Sequence, residues 1–477
     1  MDEGPMDGST PGWGELLRGG NAARSGVVGG GMAMHAINTF IVTTILPTVV
    51  RDIGGLEYLA WNTTLYVVAS LLGGACCSRI QARIGPRDSY RAALALFGAG
   101  TLLCAMAPDM LVLLAGRFVQ GLGAGTLSAL SFSMIRILFP ERLWPRAIAV
   151  VSTVWGVATL LGPALGGVFA EYGVWRPAFW AVLAITPLFA LLVERCLARQ
   201  PVHPTQVATR LPIGSLALLL ASVMALSVAS ASSGAGRNGA GVLVAVAVFV
   251  WFVRREAGGG SRLMPLGACD PRTPIGAIFS TQFLLLMGMA TEIFVPYFLQ
   301  TLHAMTPLHA GYMSALMSAG WSLGSIGFSG AAERGSRAAM TVGPAVEVLG
   351  LAGLWLLMPI SDGGFAVMAG IGAALFAIGL GIGLGWPHLC ARVYRFASHS
   401  ERDLASASLT VIVMIGNAFG SAFAGLVTNM AGLTEPGGIT GGVTAAVWLY
   451  GMFMFAPCLA LLTASRVRHF SRRAVSA

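Results

Sequence analysis

AGRFVQGLGAG, residues 115–125, sets one arginine, one glutamine and four glycines inside a stretch that carries no other charge from Met110 to Ile135. At about 1.5 Å per residue such a stretch crosses a hydrocarbon core of about 30 Å. Arg117 lies eight residues from Asp109 at the start of the span, so about 12 Å deep. Similar spans precede and follow it. About fourteen stretches of roughly 18–28 mostly uncharged residues can be counted along the chain.

The charges outside the spans alternate. All 29 basic residues are arginine, and 25 of them fall in the termini or in every second loop. Only Arg51, Arg176 and Arg237 fall in the other loops, and only Arg117 lies within a span. Basic loops stay cytoplasmic, which predicts an inner (plasma) membrane protein that crosses an even number of times with both termini inside. With 56% hydrophobic and 10% charged residues among 477, a soluble globular protein is excluded. The net charge of +9 is scattered through short loops. Its expected partner is the lipid bilayer, not nucleic acid.

Seven cysteines form no CxxC and no Cys/His cluster, so neither disulfides nor a metal site are expected. No Ser/His/Asp set or carboxylate pair collects at one membrane face, so an enzyme is not expected. The glycine run 379–385 has dinucleotide-like spacing but no strand before it, and no cofactor is expected.

The chain divides as a tail (1–25), six helices (26–198), an inserted helix pair with its linkers (199–272), six more helices (273–465) and a second tail (466–477). The linker 254–272 has the composition of a flexible loop. The two blocks of six look like weak repeats. SRIQARIGPR (78–87) corresponds to GAAERGSR (330–337), and GRFVQGLGAG (116–125) to GLGIGLGWP (379–387). Two similar halves closing around a midplane site is the logic of alternating access.

Span five carries Gly162-Pro163-x-x-Gly166-Gly167, and span two opens Trp61-x-x-x-x-Tyr66. With the arginine–glutamine–glycine tract, these residues resemble the major facilitator superfamily, and more closely its fourteen-helix drug:proton antiporter branch, over about 35–195 and 275–430. The resemblance implies an all-α polytopic membrane protein with the major facilitator fold: two six-helix bundles plus an inserted pair, acting as a monomer. It implies a secondary active transporter that exports amphipathic small molecules in exchange for protons. It also implies that spans one, four, nine and twelve line the cavity, and that GPxxGG marks exporters. Glycines let helices approach closely, and an intramembrane proline frees a carbonyl and permits bending. Gly121, Gly123, Gly162, Pro163, Gly166 and Gly167 therefore read as a hinge or gate, with simple helix packing as the alternative. Arg83, Gly85 and Arg87 match the family's loop after helix two, whereas Ser78, Ala82 and Pro86 depart from it. Asn38 stands where the branch carries an aspartate, and an amide cannot carry a proton.

Only two acids, Glu292 and Glu347, lie deep within spans. A carboxylate there tends to take up a proton. Glu292 lies nine residues from Thr301 at the end of span nine, about 13 Å deep. That depth matches Arg117, so Glu292 is expected to carry the proton with Arg117 as counter-ion, or else to form a permanent ion pair with it. Glu347, on a peripheral span, is expected to make an interhelical hydrogen bond. His35 is a second proton-exchange candidate. It shares a helix face with Asn38 and Thr39, which with Gln120 are expected to line the substrate cavity. Thr281 precedes Glu292 by three turns and is expected on its face. Tyr312, Trp321, Trp386 and His388 supply a stacking surface for a flat cation, or serve as packing. Two other functions stay open: export of one endogenous, possibly anionic metabolite, and a transport-inactive sensor or scaffold.

Overall fold

The computed structural model describes residues 20–140, 143–197, 212–231, 235–258, 262–360, 364–398 and 401–476. Most of the expected N-terminal tail and the expected boundary at 198–199 lie outside the described residues. Within them every regular element is a helix. In chain order these are α1 (Gly20–Ile53), then a single run, Leu59–Ala105, that bends at Gly85. Gly85 has φ 78° and ψ 167°, a conformation that side chains disfavour. The run is thus two rods, α2 (59–84) and α3 (86–105), the second opening on Pro86. Next come α4 (Met110–Leu138), α5 (Trp144–Glu171), α6 (Arg176–Cys196), α7 (Ile213–Ser230) and α8 (Ala235–Ala257). The second block holds α9 (Pro274–Leu302), α10 (Pro307–Phe328), α11 (Glu333–Leu357), α12 (Gly364–Phe396), α13 (Arg402–Met430) and α14 (Gly438–Phe453, continued after Met454 as Phe455–Ser476).

Twelve of these helices are long and apolar enough to cross a membrane. Dividing the bent run at Gly85 and adding α10, which is less apolar because of its serines and glycines, brings the rods to fourteen. The helix starts follow from local chemistry. Asp109 caps α4 by accepting from Val112 N at 2.9 Å. Thr273 and Thr306 cap α9 and α10, each with a proline at the first helical position. α9 is not one regular helix: residues Ala290–Phe294 form a 3-10 turn between Pro274–Met289 and Val295–Leu302.

The glycine tracts decide the packing. α4 is wedged between α2 and α3. A methyl group at Gly121 or Gly125 would overlap the carbonyls of Tyr66 or Ser70 on α2, and one at Gly123 would overlap the backbone of Phe97 on α3. Positions two apart point to opposite sides of a helix, so one tract serves two neighbours. α12 repeats the arrangement in the second block. Gly379 and Gly383 meet Met317 and Trp321 of α10, and Gly381 meets Gly343 and Glu347 of α11. α7 and α8 pack on each other, and α7 lies against α13 and α2.

The linker after α8 differs from the flexible loop expected of its composition. Glu256 accepts from the backbone amides of Leu263 and Met264 at 3.0 and 2.9 Å, and Arg262 donates to Glu401 at 2.6 Å. Leu263, Met264 and Ala268 are buried. The apolar residues among its glycines give it a core to dock on, which a reading by composition overlooks.

Candidate functional site

A connected set of polar side chains crosses the first block from α1 to α4. Asn38 Nδ2 donates to Gln120 Oε1 at 3.2 Å, and Gln120 Nε2 donates to Asn38 Oδ1 at 3.1 Å. Gln120 Nε2 also reaches Thr101 Oγ1 of α3 at 2.8 Å. Arg117 donates to Gln120 Oε1 at 2.6 Å and to the Asn62 carbonyl of α2 at 3.4 Å. Its guanidinium lies 4.0 Å from the centroid of the Tyr66 ring. The Tyr66 hydroxyl is 3.1 Å from His35 Nδ1 and donates to the His35 carbonyl at 3.3 Å. Asn38, Tyr66, Thr101, Arg117 and Gln120 are each no more than 2% exposed. His35 and Thr39 are half-buried, and the Thr39 hydroxyl donates to the His35 carbonyl. Buried polar groups need partners, and the Arg-x-x-Gln spacing supplies them by placing both side chains on one helix face.

The expected ion pair between Arg117 and Glu292 does not form. Arg117 spends its donors within the first block, while Glu292 sits in the 3-10 turn of α9 in the second. Equal depth on two helices leaves the direction of each side chain open. Thr281 departs for a related reason. Eleven residues equal three turns only in an unbroken α-helix, and the 3-10 turn shifts the phase. Its hydroxyl bonds Thr463 Oγ1 of α14 at 2.7 Å, away from Glu292.

Of the expected stacking surface, only Trp321 and Trp386 come together, with ring centroids 5.2 Å apart and planes at 59°. Tyr312 is 41% exposed, nine residues before Trp321 on α10, and makes no ring contact with the pair. His388 is buried and its Nε2 donates to the Phe328 carbonyl at 2.8 Å, tying α12 to the end of α10. Residue type and helical spacing could not separate these three outcomes.

The two blocks meet away from the arginine-rich loops. Arg51 donates to Gln300 at 3.3 Å, Thr64 and Ser421 hydroxyls are 2.8 Å apart, and Asn429 donates to the Glu57 carbonyl at 2.9 Å. GPxxGG lies at the same junction. A methyl group at Gly162 would overlap Phe40 of α1, one at Gly166 would crowd Ile41, and one at Gly167 would crowd Leu308 of α10. Pro163 stands against Gly311 of α10. These glycines, like Gly121 and Gly123, are sites of close backbone approach, and α5 packs on α1 of its own block and on α10 of the other.

Residues 28–389 match the Major Facilitator Superfamily. The chain belongs to this superfamily. It is a multi-pass membrane transporter, not an enzyme. A relative from Mycobacterium tuberculosis (strain H37Rv), named a probable multidrug-efflux transporter, is 35% identical over 476 residues, covering 97% of this chain and 98% of the relative. The multidrug transporter protein MdtP of Bacillus subtilis (strain 168) is 26% identical over 406 residues, covering 83% and 73%. Among solved structures, the facilitator fold is shared with a bacterial homolog of the human lysosomal transporter Spinster in an inward-facing, unoccupied conformation. That match has a TM-score of 0.66 at 15% identity and covers 95% of this chain and 98% of the other.

At its arginine-rich face this facilitator ties each block with a glutamate held by two arginines. Glu194 of α6 accepts from Arg87 and Arg91 of α3. Glu333 of α11 accepts from Arg337 at 3.0 Å and from Arg392 of α12 at 2.9 Å. Arg83 is exposed. Glu194, Asn62 and Thr101 gave no signal in the sequence, whereas Tyr66 stood in the Trp61-x-x-x-x-Tyr66 motif without an assigned role.

Proposed function

We propose that the protein exports amphipathic small molecules, drugs among them, in exchange for protons by alternating access. The arginine-rich face is cytoplasmic in this reading, as the positive-inside rule requires. The observation that carries the reading is the 35% identity, along nearly the whole of both chains, to a relative named a probable multidrug-efflux transporter. The geometry supports it. Two blocks joined on one side by close contacts of α5 and α10 can rock about that junction. Glu292 carries the proton, and Arg117, Gln120 and Asn38, buried and so not lining the cavity as expected, hold α1 to α4. Trp321 and Trp386 offer the substrate a stacking surface. Each proton that enters contributes about 2.3 kcal/mol per 100 mV, enough to drive uphill export.

The test is proton release from energised everted vesicles on addition of cationic dyes and drugs. Release in the wild type that disappears in Glu292→Gln supports antiport with Glu292 as carrier. Release that persists in the variant removes Glu292 from that role, and silence in the wild type across the panel removes drug antiport. One observation favours a second reading, export of an anionic metabolite: Arg117 forms no ion pair with a carboxylate among the described residues. Stimulated release by organic anions but not by cations would select it.

A further inference from the structure

Glu347 is 0% exposed on α11, and neither of its carboxyl oxygens has a hydrogen-bond donor among the described residues. Two glycines on different helices make its space. A methyl group at Gly288 of α9 would overlap Glu347 Oε1, and one at Gly381 of α12 would meet the Glu347 backbone and Cβ. The side chain thus fills a crevice between α9, α11 and α12, two residues before the 3-10 turn of α9 begins. It lies fourteen residues from Glu333 at one end of α11 and ten from Leu357 at the other, so about 15 Å or more from either end.

The helices packed around it bring no countercharge. α9 carries Glu292 one turn beyond Gly288, an acid like Glu347 itself. α12 carries His388, Cys390 and Arg392 seven or more residues beyond Gly381, toward the arginine-rich face. α14 carries Tyr450, whose buried hydroxyl likewise has no partner, then Cys458; its basic residues begin only at Arg466, which donates to the Pro271 carbonyl ahead of α9. On α11 itself the nearest charged residue is Arg337, ten positions away. A carboxylate with neither donor nor cation is strongly disfavoured in a bilayer interior, whereas the neutral acid is tolerated.

We propose that Glu347 is a proton-binding site of the second block, occupied in this conformation and emptied when α9 draws away from α11 and α12 and admits water. On release the O–H bond breaks, the proton passes to water and the electron pair stays on the carboxylate. The crevice contact at Gly288 then links the proton to the 3-10 turn in α9. The site takes its purpose from the reading of the protein as a proton-coupled exporter, but its occupancy is measured without any transported compound.

The experiment is mapping of dicyclohexylcarbodiimide, which reacts with protonated carboxyls in apolar surroundings, on purified protein in lipid nanodiscs. A Glu292→Gln background removes the neighbouring acid. The expected result is label on the Glu347 peptide that declines from mildly acidic to mildly alkaline buffer and is absent in Glu347→Gln. No label on Glu347 at any pH, or label indifferent to pH, overturns the proposal. In everted vesicles, Glu347→Gln is expected to lower proton-driven dye accumulation by about tenfold or more. Accumulation equal to wild type overturns the coupling. A wild type that labels as expected but never exchanges protons for dyes upholds the site and overturns the export reading.

Discussion

The guanidinium of Arg117 rests 4.0 Å from the centroid of the Tyr66 ring, and that ring takes the place a carboxylate was expected to hold. A cation over a desolvated aromatic face is worth up to about 2 kcal/mol. The hydroxyl of the same tyrosine reaches back to His35 on α1. One side chain therefore joins the buried charge to the half-exposed histidine.

Tyr66→Phe keeps the ring and loses the hydroxyl, so its expected cost is about 1 kcal/mol of stability, one ordinary hydrogen bond. Tyr66→Leu loses the ring as well and is expected to cost about 2 kcal/mol more. Thermal unfolding of the purified variants measures both. Equal losses would show that the ring contributes nothing to holding Arg117.

Gly162→Ala and Gly167→Ala each force a methyl group into Phe40 or Leu308 at the contacts of α5. Overpacking of this kind costs about 1–3 kcal/mol, and both variants are expected to lose most dye efflux. Gly156→Ala, with nothing within 4 Å of the added carbon, is the matched control on the same helix. Efflux at the wild-type rate in Gly167→Ala would mean that the close approach of α5 and α10 has no part in the transport cycle.

The hydroxyls of Thr64 and Ser421 are 2.8 Å apart across the junction of the two blocks. Cysteines at both positions, in a background without the seven native cysteines, are expected to form a disulfide on mild oxidation. Oxidation should then stop efflux, and a reducing agent should restore it. Efflux that continues with the bond formed would show that α2 and α13 stay together throughout the cycle.

The fold was legible because the bilayer leaves few choices. Apolar runs of sufficient length must be helices. The glycines of 116–125 and 379–385 announced close packing, although only the structure shows each tract serving two neighbours. The site was harder to read. Arg117, Gln120 and Asn38 were named from a motif on single helices and are joined by hydrogen bonds. Glu292 and Thr281 were placed by counting turns through residues 290–294, where the helix changes its pitch. The crevice around Glu347 needs Gly288 and Gly381 from two other helices, so no stretch of α11 reveals that its acid lacks the hydrogen bond expected of it. His388 and Tyr312 looked alike as aromatic candidates, yet one is bound to a carbonyl and the other is exposed.

The 3-10 turn in α9 has a mechanical meaning. A 3-10 segment rises about 2.0 Å and turns about 120° per residue, against about 1.5 Å and about 100° in an α-helix. Over the five residues Ala290–Phe294, conversion to α-helix would shorten the rod by about 2.5 Å and rotate its outer piece by about 100°. Were those five residues to convert, α9 would act as a screw: a small axial displacement at Gly288 would reach Val295–Leu302 as a large change in which side chains face the opposite block.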